Sequence, residues 1–312
     1  MAKRVEEITL GIDACKDKLD IHHWQAEEAC QVTNDRDSIE GFLKGLYGPA
    51  RIAVEATSNY HLAVVEVALA LGHAVYLVNG RQLANYRKAV NVRNKTDPLD
   101  AWLLARYLDR EAASLRPFQP QSAKAQELWA LLKRRALVVN TRKQIDLSFR
   151  DLHFSTQAMF SEFQRLLARI EQRLRTLLRA LGWWADYQRC RSIPGVGLVN
   201  AIALTATYHR GAFGSSDAFV AFIGLDVRIR ESGQYKGQRK LTKQGEPELR
   251  RLLWCAAHPA RSYHRFDCYY RQQLDKGMTK IAARVVLARK IARIAFTLLA
   301  NQQTFRKSEV PA

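Results

Sequence analysis

The stretch Ile8–Trp24, ITLGIDACKDKLDIHHW, decides the fold. Ile8-Thr9-Leu10-Gly11-Ile12 is an apolar run that ends on Asp13. A polar turn follows around Lys16 to Lys18, and LDIHHW then resumes a strand pattern, so the segment reads as two strands joined by a turn. A third strand is expected near Gln31 to Thr33 and a helix over Ser38 to Leu46. Arg51 to Glu55 is a short apolar run that again ends on a carboxylate, the pattern of a buried strand. Next come an apolar helix over about Tyr60 to Leu71, a strand at Ala74 to Val78, a short helix near Gln82 to Arg87 and a helix starting near Asp97. An initial meander followed by alternating helix and strand predicts an α/β sheet covered by helices.

That order carries a chemical expectation. A ribonuclease-H-like sheet sets its first and fourth strands side by side, which would make Asp13 and Glu55 neighbours at one end. Asp97 and Asp100, three apart, share one helical face and can complete the cluster. Carboxylates so close repel one another and rise in pKa unless a cation neutralises them. Hard oxygen ligands with room for water and phosphate favour Mg²⁺ or Mn²⁺ over zinc. Metal-dependent phosphodiester chemistry is therefore expected. Each acid also has an ordinary reading: Asp97 as a helix N-cap before Pro98, Asp100 as a first-turn acid, Asp13 as a turn residue, Glu55 as the partner of a surface lysine. Their joint appearance in the expected order favours the site.

Composition bounds the partners. The 312 residues are too many for one ordinary core, and 47% hydrophobic with 25% charged residues suits folded domains rather than disorder. Against 30 Asp and Glu stand 49 Lys and Arg, a formal charge of +19 that attracts polyanions, nucleic acid first among them. Cys15, Cys30, Cys190, Cys255 and Cys268 are scattered, without a C-x-x-C pair, and read as reduced thiols. The opening residues lack the pattern of a leader, and the most apolar stretch, Leu62 to Val78, is broken by Glu66, Gly72 and His73. A cytoplasmic protein without a membrane span is expected.

Pro117 and Pro120 mark the edge of the sheet domain, expected over residues 1–120. Residues 121–187 show almost no strand signal and are expected to form a helical, coiled-coil segment. Phe163, Leu167, Ile170, Leu174, Leu177 and Leu181 step with a heptad rhythm, which suits a dimer seam and a hairpin packed on its own chain equally well. Residues 188–312 form the third expected domain, mainly helical. Ser192-Ile193-Pro194-Gly195-Val196-Gly197 precedes an apolar helix; Gly195 and Gly197 there suit either a phosphate-gripping helix-hairpin-helix turn or a plain tight turn. A basic helix with an apolar face, Thr279 to Ala300, closes the chain and reads as core packing.

Six blocks in sequence resemble a known family, the DEDD transposases of the one-ten group of insertion sequences, which includes the pilin-gene invertases. They are GIDACKDKLD around Asp13, VEATSNY around Glu55, RNKTDPLDAWLLARY around Asp97 and Asp100, SIPGVG at Ser192, FVAFIGLDVRIRESG from Phe219, and GEPELRRLLW from Gly245. The resemblance implies a RuvC-like N-terminal domain whose Asp13, Glu55, Asp97 and Asp100 bind Mg²⁺. It also implies a C-terminal transposase domain whose serine, matched here by Ser232, attacks DNA to form a phosphoserine link. DNA, a noncoding bridge RNA and assembly into dimers or tetramers with shared active sites follow as implied partners.

Ser232 lies beside Gly233 in a strongly basic stretch. Arg228, Arg230, Lys236, Arg239, Lys240 and Lys243, with Arg250 and Arg251 on the next helix and Lys95 before the Asp pair, are expected to grip phosphates of DNA or guide RNA. A solvated basic face is the alternative. Two other functions stay open from the residues alone: a resolvase-like nuclease in which activated water attacks and Ser232 stands by, and a non-catalytic DNA- or RNA-binding protein.

Overall fold

The structure, a computed structural model, describes residues 8–56, 59–94, 96–228, 231–232, 235–237 and 239–306. The chain divides into two compact units, Met1–Pro120 and Gln121–Ala312.

The first unit is built on one sheet. Strands β1 (Ile8–Ala14), β2 (Lys18–His23) and β3 (Glu28–Thr33) form an antiparallel meander, and helix α1 (Arg36–Lys44) leads to β4 (Ala50–Glu55). Helix α2 (Leu62–Ala70), strand β5 (Ala74–Val78) and helices α3 (Gly80–Ala89) and α4 (Asp97–Glu111) follow. The strand order is β3-β2-β1-β4-β5, with β4 parallel to both β1 and β5. The first and fourth strands are thus neighbours, as a ribonuclease-H-like sheet requires.

Alternation of side chains along β1 separates two faces. Ile8, Leu10, Ile12 and Ala14 join Ile52, Val54, Ile39 and Val64 in one cluster with α1 and α2. Thr9, Gly11 and Asp13 point the other way, where α4 packs across β1, β2 and β4. Ala53, Leu103, Leu104 and Leu108 form a second cluster on that side. Gly11 is what lets α4 come so close. A Cβ built there would overlap the Ala101 carbonyl oxygen and the Ala105 amide nitrogen, and would lie 3.0 Å from the Ala105 Cα.

The second unit is mostly helical. Helices α5 (Ala123–Ser148) and α6 (Gln157–Ala180) pack as a hairpin, followed by α7 (Trp184–Arg191), α8 (Leu198–Tyr208) and α9 (Ser216–Ile223). Four two-residue strands come next: β6 (Val227–Arg228), β7 (Glu231–Ser232), β8 (Tyr235–Lys236) and β9 (Lys240–Leu241). Helices α10 (Pro247–Ala257), α11 (His264–Asp275) and α12 (Lys280–Ala300) complete it. Ile170, Leu174 and Leu177 of the heptad run pack with Leu128 and Leu132 of α5 and with Leu287 and Ile291 of α12 in one cluster, so this part of the seam is filled by its own chain. Arg135–Glu171 and Arg173–Glu127 ion pairs, each at 2.7 Å, tie the two helices along the same contact. The same cluster includes Cys190, Ile202 and Leu253, so residues on both sides of position 187 share one core. No helix among the described residues is long and apolar enough to cross a membrane.

Replacing Gly11 by Ala forces α4 off the sheet or bends β1. Overpacking of this kind costs about 3 kcal/mol, whereas a Cβ at Gly48 meets nothing within 4 Å. Urea denaturation should show Gly11→Ala unfolding well below wild type and Gly48→Ala close to it. A wild-type midpoint for Gly11→Ala contradicts this packing.

Candidate functional site

The paired register Ile12 with Val54 puts the next residues, Asp13 and Glu55, at the same level of two parallel strands. Both belong to the face on which α4 lies. Asp13 also stands directly opposite Asp20 of β2. Across from them α4 begins, and its first turn holds Asp97 and Asp100. The N-cap is Thr96, with Pro98 in the first turn, so the reading of Asp97 as the cap is displaced by one residue. The Asp97 carboxylate instead faces Lys18 at 3.6 Å and accepts a hydrogen bond from the Cys15 thiol at 3.8 Å.

Asp13, Cys15 and Asp97 each place one ligand atom within 4.8 Å of the others, the spacing of a shared cation. Glu55 lies beside this group, its carboxylate against Gly80 at the start of α3, where a Cβ would collide with it. The buried Asp100 is held by the Arg87 guanidinium in an ion pair. Asp20, also buried, accepts from Gln31 at 2.6 Å and pairs with Lys18 at 3.0 Å.

The electrostatic cost of this gathering falls on Asp13. Burial, followed by the charges of Asp100, Asp97, Glu55 and Asp20, pushes its carboxyl from 3.8 up to about 6. Burial and the charges of Asp13, Asp97 and Asp20 likewise raise the Cys15 thiol. A divalent cation would relieve both effects, and two carboxylates with a thiol beside them could hold one.

In the second unit, Ser232 is exposed and stands opposite Tyr235 in the β7–β8 pair. Arg228 and Lys240, both exposed, stand directly opposite each other on β6 and β9.

Comparison with known families gives two matches. The DEDD transposase model of the IS110 type covers residues 10–152, and the transposase IS116/IS110/IS902 family covers residues 187–290. The chain belongs to the IS110 transposase family. The pilin gene-inverting protein of Moraxella lacunata is 27% identical over 96% of this chain and 97% of its own. The transposase for insertion sequence element IS1111A of Coxiella burnetii is 29% identical over 76% of this chain and 74% of its own. Among solved structures, T. thermophilus RuvC in complex with Holliday junction substrate overlaps 36% of this chain and 100% of its own at 15% identity and a TM-score of 0.27.

Within this transposase the expected site residues fall into distinct settings. Of the four expected acids, Asp13 and Asp97 share the group with Cys15, Glu55 stands level with Asp13 on the adjoining strand outside it, and Asp100 is engaged by Arg87; Cys15, Lys18, Asp20 and Arg87 had not been singled out from the sequence. Lys95 and Arg230 lie outside the described residues, and Lys236 is placed on β8 by its backbone. Arg239 and Lys243 are exposed. Arg250 donates to the carbonyl oxygens of Gly245 at 2.7 Å and Ile223 at 3.3 Å, while Arg251 forms two 2.6 Å hydrogen bonds with Glu248. Gly195, at φ 82°, packs against the backbone of α10's end: a Cβ would lie 2.6 Å from the Ala260 Cα, so its glycine is required by packing. Gly197, the N-cap of α8, has open space around it.

Because the Asp13 pKa is raised in the fold, its stabilising contribution is complete below pH 3.8 and is lost as the pH rises through about 6. Asp13→Asn removes the ionised form. With chelator present at pH 8, it should melt roughly 2–6 °C above wild type, solvent screening limiting the gain. Near pH 3.5 the two should converge. Melting of the variant at or below wild type at pH 8 contradicts the carboxylate repulsion.

Proposed function

We propose that this transposase cuts and rejoins DNA by attack of the Ser232 hydroxyl at a phosphate held beside Asp13, Glu55, Asp97 and Asp100, with sites chosen by a structured bridge RNA. The observation that carries the reading is the convergence of Asp13 with Asp97 across the sheet–helix contact, with Glu55 level with Asp13 on the adjoining parallel strand. These acids would hold Mg²⁺ or Mn²⁺, which would supply polarisation of the scissile phosphate.

Ser232 suits the nucleophile role because its hairpin presents it to solvent, where a DNA strand can reach it. Attack of its Oγ on phosphorus expels a deoxyribose hydroxyl and leaves a phosphoserine ester. Attack of another DNA hydroxyl on that ester rejoins the strand and returns the serine. No high-energy cofactor is consumed, since the ester conserves the bond.

The cations around the hairpin hold the backbone. Like charges directly opposite on two strands destabilise the pair, and a phosphate between Arg228 and Lys240 offsets that repulsion. Arg239 and Lys243 extend the same basic surface. The formal charge of +19 supports binding of both DNA and guide RNA. Arg250 and Arg251 serve the loop and helix that carry this surface. The family likeness supports assembly into a dimer or tetramer whose subunits share active sites.

Covalent trapping on a nicked element end tests the chemistry. Wild type should give a protein–DNA adduct that maps to Ser232, and Ser232→Ala should give none. An adduct that persists in Ser232→Ala and maps to Tyr235 overturns the assignment, and cleavage without any adduct hands the attack to water. Mixing Ser232→Ala with Asp13→Asn should restore cleavage if sites are shared between subunits; two inactive proteins that stay inactive together contradict sharing.

A further inference from the structure

Helices α11 and α12, with Tyr263 before α11 and the segment after α12, line an open cleft of about 610 Å³. Tyr263, Tyr269 and Phe305 form its aromatic wall, while Arg265, Lys290 and Arg306 supply charge; among the described residues no Asp or Glu lines it. A cleft this basic selects an anion, and one this aromatic selects a flat ring.

The wall is preformed. Phe305 stands edge-on to Tyr263 at 5.6 Å and lies 5.8 Å from Phe266, which anchors it to the core of the second unit. Its backbone N–H donates to Ser192 Oγ at 2.8 Å, so Phe305 is tied to the turn before α8. Lys290 Nζ sits 4.3 Å over the Tyr269 ring, holding a cation at the cleft. Arg265 and Arg306 are exposed at the lip. Asp267 of α11 is engaged by Arg261 and Arg271 at 2.8 and 2.6 Å.

We infer that this cleft binds an unpaired nucleotide of a nucleic acid strand, its base against the aromatic wall and its phosphate among Arg265, Lys290 and Arg306. The volume falls within the range of about 300–1,000 Å³ typical of ligand clefts. Stacking on aromatic rings beside cations is how proteins hold single strands without reading sequence. A duplex keeps its bases stacked inside the helix and cannot offer one to the wall. The inference concerns a surface formed by α11, α12 and the following segment, and it stands or falls independently of the serine chemistry.

Photo-crosslinking of the full-length protein tests it. The probes are strands of about eight nucleotides, carrying 5-iodouracil in RNA, in DNA, and in a blunt duplex. Adducts should map to the peptides containing Tyr263, Tyr269 or Phe305, from one or both single strands. RNA alone assigns the cleft to RNA, DNA alone to displaced DNA, and both to any unpaired strand. The double variant Arg265→Gln/Lys290→Gln should lower these adducts at least about fivefold with an unchanged melting temperature. Lys44→Gln/Arg110→Gln removes equal charge from the exposed surface of the first unit and should leave them unchanged. Absence of adducts in these peptides, equal crosslinking by the duplex, or equal loss in the charge control overturns the inference.

Discussion

The contact between Gly11 and the backbone of α4 governs the first unit. A helix can lie this near a strand only where a side chain is missing, and the Ala101 and Ala105 backbone occupies the space a Cβ would need. Ten residues separate Ala101 from the end of α4, but only one from Asp100 and four from Asp97, so the contact fixes the height at which the first turn meets the sheet. Asp13, two residues beyond Gly11 on the same face of β1, is brought to that turn by the same constraint. Packing here is the means by which residues far apart in the chain become one electrostatic object.

That object is held together against its own repulsion. Four other carboxylates act on Asp13, and the chain meets part of their charge with Lys18, which contacts Asp20 and Asp97, and with Arg87 on Asp100. Asp13, with neither of these cations as a partner, takes the rise in pKa. Such an arrangement costs stability in the absence of a cation and gives a cation a strong reason to bind, the usual signature of a site shaped for function rather than for fold. In the second unit like charges also stand opposite each other, Arg228 facing Lys240 in the β6–β9 pair.

Much of this was legible from pattern. Apolar runs ending on Asp13 and Glu55 gave β1 and β4, and the Thr96-Asp97-Pro98 sequence marked the start of α4 to within a residue of its cap. Edge strand β3 extends back to Glu28, beyond the Gln31 to Thr33 expected, because its residues are almost all exposed and carry no apolar alternation. Lys18, Cys15 and Arg87 were not legible as site residues: their roles arise from partners across a turn or another helix, which no local periodicity reports. The serine region was read only through family likeness, since strands of two residues are too short for any period to register. Gly195 looked like a phosphate contact or a turn, and the approach of Ala260 gives it a packing reason that only three-dimensional neighbours reveal.

Direct titration of Mn²⁺ into the folded protein, followed by electron paramagnetic resonance, tests the shared acidic site without any catalytic readout. Wild type should sequester the ion, while Asp13→Asn on the sheet and Asp97→Asn on the helix should each weaken its binding by an order of magnitude or more, although both variants remain folded. If either variant binds Mn²⁺ as wild type does, the strand and the helix do not supply one centre, and the account of this enzyme's chemistry is wrong.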